Sequence, residues 1–143
     1  MKFSLPIRVV TIIAGVLFLV FAWFQRNDID PQIYHNPSSL DAALWLLFYL
    51  VIAVLLLVSL WKKVPVWLVG LGVVACLLEM VTTGPGLYQN LFGDEAFTMT
   101  QTSMSAEDPR VELSREFFGA VIALLGVVWI YLLHRVIKSP VKA

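Results

Sequence analysis

Residues 42–81 read AALWLLFYLVIAVLLLVSLWKKVPVWLVGLGVVACLLEMV, and Lys62, Lys63 and Glu79 are the only charges in these forty positions. Two apolar runs, 42–61 and 64–81, flank the dibasic Lys62-Lys63. Each has a length close to the roughly 17–25 residues that carry a helix across a hydrocarbon core. The link between them is too short for anything but a tight reversal, and Pro65 suits a first helical turn, where its missing N–H costs nothing. The stretch therefore predicts an antiparallel transmembrane hairpin.

Working outward, the same pattern recurs at 7–24 and 117–133. None of the four runs alternates polar with apolar residues as a lumen-lining barrel strand does. The chain has 143 residues, 59% of them hydrophobic and 14% charged, against an apolar share of roughly 45–50% in soluble domains. The expected fold is an all-α membrane protein, a four-transmembrane-helix bundle forming a single domain over 1–143. Its longer connections, 25–41 and 82–115, emerge at one end.

Charge sets the expected orientation. Lys2, Arg8, Lys62, Lys63, Arg135, Lys138 and Lys142 flank the runs on the side of the termini, whereas Arg26, Arg110 and Arg115 lie opposite. Basic flanks stay cytoplasmic, so both termini are predicted inside. All ten acids, Asp28, Asp30, Asp41, Glu79, Asp94, Glu95, Glu107, Asp108, Glu112 and Glu116, then fall at or just within the outer face. Trp23, Trp61, Trp67, Trp129 and Tyr131 stand where an interfacial aromatic belt is expected.

Lys2 and Arg8 before an apolar run resemble the start of a secretory signal, but FAWFQRND at the end of that run places Trp23 and Phe24 where small residues would permit cleavage. An uncleaved first span is expected. A short N-terminal tail, compact spans and outer loops without an N-glycosylation sequon predict a bacterial cytoplasmic (inner) membrane. Cys76, the single cysteine, rules out disulfides within the chain, CxxC chemistry and cysteine zinc sites.

The second outer loop carries local signals. Gly84-Pro85-Gly86 is expected to stop the third helix. Asp108-Pro109 reads as an N-cap followed by a first helical position, so one helix should run over 109–134, about 39 Å at 1.5 Å per residue. On that helix Glu112, Glu116, Gly119, Ala123 and Gly126 recur by threes and fours along one stripe. Gly72 in the third run, together with Gly119, Ala123 and Gly126, suits close helix packing in a membrane. Glu79 is a carboxylate inside a span, a costly placement that marks either a paired structural acid or a proton, cation or ligand site.

These residues also carry a family resemblance. Gln25-Arg26-Asn27-Asp28 followed by Asp30-Pro31, then Trp45 and Tyr49, then Arg115-Glu116 with Gly119, resemble the motifs of the transmembrane protein 220 family. The resemblance implies a four-helix fold and nominates Gln25, Asn27, Asp28, Asp30, Trp45, Tyr49, Arg115, Glu116 and Gly119; it implies no activity. With Glu79 they form the expected ligand-binding or structural polar cluster.

His35 and His134 fall on opposite sides, which excludes a two-histidine metal site within one chain, and no metal site or cofactor is expected. Ser103 and Ser105 lack a base arrangement for nucleophilic catalysis, and nothing combines basic and aromatic residues as nucleic-acid binding requires. An enzyme is the least supported class. The leading expectation is a scaffold or accessory subunit that meets another membrane or exported protein, or a second copy, through its outer loops, with LFGDEAFTMT as a contact segment. The alternative is a proton-, cation- or ligand-binding transport component that uses the outer carboxylates.

Overall fold

The computed structural model describes residues 3–26, 28–32, 34–35, 37–98 and 107–135. Asn27, Ser103, Ser105, the end of the expected contact segment and the basic tail from 136 onward lie outside the described residues. Four helices follow one another, α1 Leu5–Gln25, α2 Ser39–Ser59, α3 Val66–Phe92 and α4 Arg110–Arg135, and all four are long and apolar enough to cross a membrane. No strand occurs among the described residues. The protein is an all-α, four-helix membrane bundle.

Local chemistry explains where the helices begin. Ser38 caps α2, its hydroxyl oxygen accepting from the amides of Leu40 and Asp41 at 3.2 and 3.4 Å. Pro6 sits in the first turn of α1, and α3 starts directly after Pro65. Asp108 Oδ1 accepts from the Arg110 amide at 3.2 Å and so closes the start of α4.

α1 packs on α2 and α3 on α4, and α2 against α4 joins the two pairs. Glycines set the approach at each seam. A side chain at Gly15 would meet Leu57 at 2.8 Å, one at Gly126 would meet Phe18 at 2.9 Å, and one at Gly72 would meet Val127 at 3.1 Å. Phe18, Ile52, Leu56, Ala123, Val127 and Ile130 fill the shared core. Between hydrocarbon-solvated helices such packing, rather than apolar burial from water, supplies the association energy.

The third helix departs from expectation. Gly84-Pro85-Gly86 does not stop it, and α3 runs on to Phe92 with Pro85 inside. An interior proline removes one helical hydrogen bond and crowds the carbonyl four residues back. Here the surrounding turn is held by other bonds, because the Thr82 and Thr83 hydroxyls both donate to the Glu79 carbonyl, at 3.0 and 2.6 Å. Gly86 is buried against Leu113 of α4, and this contact with α4 outweighs the local preference to break.

Trp129 also departs from the belt. It is half-buried and donates from Nε1 to Thr11 Oγ1 at 2.9 Å, while the Thr11 hydroxyl donates to the Ile7 carbonyl at 2.8 Å, a polar clasp between α4 and α1. Trp23, Trp61 and Trp67 remain well exposed.

Helix lengths decide the shape of the end opposite the chain termini. At 1.5 Å per residue α1 and α2 span roughly 31 Å, and α3 and α4 roughly 40 Å. The α3–α4 pair therefore overhangs the tops of α1 and α2. Asn90 secures the overhang: fully buried, it donates from Nδ2 to the Thr98 carbonyl at 2.8 Å and to Ser114 Oγ at 3.0 Å, and its Oδ1 accepts from the Thr98 amide at 3.1 Å.

Candidate functional site

The connection from α1 to α2 folds against that overhanging wall. Asp30 builds its turn, Oδ1 accepting from the Gln32 amide at 2.9 Å and the carbonyl accepting from the Tyr34 amide at 3.0 Å. Tyr34 then turns back and donates from its hydroxyl to Asp28 Oδ1 at 2.5 Å. The next amide, of His35, donates to Glu112 Oε2 on α4 at 2.8 Å. These bonds seal one side of a cavity of about 330 Å³.

Helix ends from three elements line it. α1 contributes Phe24 and Gln25, the following loop Asp28 and Tyr34, α2 Trp45 and Tyr49, and α4 Glu112, Arg115 and Glu116. The floor is aromatic and rigid. Tyr49 has four ring neighbours, Phe18, Phe21, Trp45 and Phe48, with centroids 5.4–6.1 Å away, and Trp45 and Tyr49 are both buried. The Tyr49 hydroxyl lies directly over Gly119, where a Cβ would collide with it. Gly119 therefore makes room for the phenol that forms the cavity floor.

The walls are acidic. Asp28, Glu112 and Glu116 face the cavity, and Glu116 lies within electrostatic reach of Glu112, Asp41, Glu79 and Asp28. Burial pushes the Asp28 carboxyl above its ordinary range, the Asp41 charge adds to the rise, and the Tyr34 hydrogen bond opposes it. The Tyr34 phenol is raised in turn, first by burial and then by its bond to Asp28. Arg115 provides the cationic group of the lining. No three His, Cys, Asp or Glu side chains converge closely enough to hold a metal ion among the described residues.

Of the residues singled out from sequence, Gln25, Asp28, Trp45, Tyr49, Arg115 and Glu116 meet at this cavity. Asp30 stands outside it as a turn former, and Asn27 lies outside the described residues. Glu79 takes a different position, at one end of an apolar groove of about 370 Å³ between α2 and α3. That groove exists because the two helices of the hairpin, though joined by a short turn, each pack principally on another neighbour. Arg26 pairs with no core acid, its guanidinium stacking 3.5 Å from the Trp23 ring centre. Glu95 and Asp108 both bind Arg110, at 2.6 and 2.7 Å, and the Arg110 bond holds the Asp108 carboxyl below its usual range.

Sequence reasoning missed Phe24 and Tyr34 altogether. It placed Glu112 on the stripe of Glu116 without assigning it to the cluster. The stripe itself was the available signal for Glu112, one helical turn before Glu116. Tyr34 had none, since its approach to Asp28 depends on the loop's turn.

Four membrane-spanning helices closed at one end by a polar, aromatic-floored cavity define a small multi-pass integral membrane protein. The chain belongs to transmembrane family 220, whose helix model matches residues 17–133. No curated protein and no solved structure matches it.

Proposed function

We propose that this membrane protein binds a small ammonium-bearing molecule in the outer cavity, as the ligand-binding component of a transport or sensing process. The observation that carries the reading is the composition of this cavity: three acids over an aromatic floor. Its volume of about 330 Å³ lies in the range of roughly 300–1,000 Å³ typical of small-molecule sites. Carboxylates within a low-dielectric wall attract a cation, and the faces of Trp45, Tyr49 and Phe24 add cation–π attraction. Arg115 offers a partner for an anionic end, so a zwitterion of amino-acid type suits the lining as well as a simple amine.

The test is ligand-dependent thermal stabilisation of the purified full chain, with a panel of a primary amine, a quaternary amine, free amino acids and sodium chloride. At least one ammonium compound should stabilise the protein, and Glu116→Gln and Asp28→Asn should each abolish the effect. The proposal fails if no ammonium compound acts, or if the shift survives in both variants.

A second reading, an accessory subunit, is favoured by the end of α3. Tyr88, Leu91, Phe92 and Phe97 are exposed there, with the Tyr88 and Phe92 rings 5.3 Å apart, on the part of the bundle that overhangs α1 and α2. Native mass measurement after gentle extraction should then show a stoichiometric partner or a second copy that Phe92→Ser releases, and a bare monomer from native membranes excludes this role. Both readings place the two outer loops outside and both termini in the cytoplasm.

A further inference from the structure

At the opposite end of the bundle a second cavity, of about 210 Å³, lies where the α2–α3 turn meets the end of α4. We propose that it binds the phosphate of an anionic phospholipid from the leaflet at the chain termini's end. Lys63 and Arg135 supply cations from two different elements, and no acid lines the cavity. His134 fixes their spacing: it is buried, and its Nε2 accepts from the Val64 amide at 3.4 Å, which fastens the turn to the end of α4. The Arg135 guanidinium stands 5.6 Å from the Tyr131 ring centre, within the range of a cation–π attraction. A guanidinium and an ammonium that line one cavity are both groups that phosphate recognition uses.

The surroundings select a lipid over a free phosphate. Val66 and Val69 continue the lining along α3 into the apolar span, and Val66 and the adjacent Trp67 are exposed at the start of that span. An acyl chain has apolar wall to follow below the headgroup, whereas inorganic phosphate would leave it bare. Lys62, although adjacent in sequence, does not line the cavity, and so separates a shaped site from general basicity at this end.

The test uses the full chain in a neutral detergent and measures retention of phosphatidylglycerol and of phosphatidylcholine in mixed micelles by calorimetric titration. Phosphatidylglycerol should bind more tightly, and the double variant Lys63→Gln, Arg135→Gln should weaken it by about thirtyfold, from the loss of two near-surface charges. Lys62→Gln should leave it unchanged. Equal affinity of the wild-type chain for both lipids overturns the site, as does equal weakening by Lys62→Gln and by the double variant. Inorganic phosphate is the third probe: if it binds as tightly as phosphatidylglycerol, the lipid assignment falls and free phosphate is the ligand. Because the wild-type comparison needs no variant, a poorly folding double mutant does not remove the criterion.

Discussion

Gly119 and Tyr49 show how one missing side chain sets the cavity floor. A methyl group at Gly119 would collide with the Tyr49 hydroxyl, whereas Gly70 has no atom within 4 Å of an added Cβ. Overpacking of a tight core costs about 1–3 kcal/mol, so Gly119→Ala should lower the thermal midpoint in detergent clearly, and Gly70→Ala should leave it in place. Asn90 gives a second case. Asn90→Leu removes its bonds to Thr98 and Ser114 and strands polar groups at a cost of about 1–3 kcal/mol. Amide hydrogen exchange in the segment before Thr98 should quicken. Asp28 yields a pH prediction. Its folded carboxyl titrates above the unfolded value, so the folded state binds more protons, and the contribution of Asp28 to stability is largest at low pH and falls as pH rises through the folded value. Tyr34→Phe removes the bond that opposes the rise; the protonated-carboxyl infrared band that Asp28→Asn deletes should then persist to higher pH.

At the scale of elements, α3 is decided by its partner. Propensity places a stop at Gly84-Pro85-Gly86, yet the helix continues because Gly86 lets α4 approach at Leu113. Gly84 and Gly86 make the point testable, since a Cβ at Gly84 meets nothing nearer than Phe117 at 3.8 Å, while one at Gly86 overlaps Leu113. Gly84→Ala should be tolerated, and a small gain from reduced unfolded-chain freedom is expected, about 0.4–1 kcal/mol. Gly86→Leu should separate α3 from α4 near Leu113 and open the cavity wall. The measurement is the distance between spin labels at Tyr88 and at Glu107, just before the start of α4, which should increase only in the second variant.

For the whole molecule, the expectation concerns sidedness. The end away from the termini holds the acids and the overhanging pair, and the other end holds Lys62, Lys63 and Arg135. With Cys76 replaced by Ala, single cysteines at Lys62 and at Glu95 should react with an impermeant thiol reagent from opposite faces of a sealed vesicle. Labelling of both from one face would reverse the topology argument, because a charge-based orientation requires the basic end to remain on the side of synthesis.

The amino-acid sequence by itself determined the membrane class, the number of helices and the hairpin at Lys62-Lys63, because length and unbroken apolarity leave a chain in hydrocarbon no other way to satisfy its backbone. The motifs around Asp28, Trp45 and Glu116 were visible there too, since polar groups at span ends stand out against an apolar background. Only the tertiary structure decided which of them meet. Asp28 and Glu112 share a cavity through the Tyr34 and His35 contacts, while Glu79, at a comparable sequence depth, lines a different groove. Periodicity specifies which face of a helix a side chain occupies, but not which neighbour that face meets; the packing of α2 on α4, and the overhang of α3 and α4, settled that.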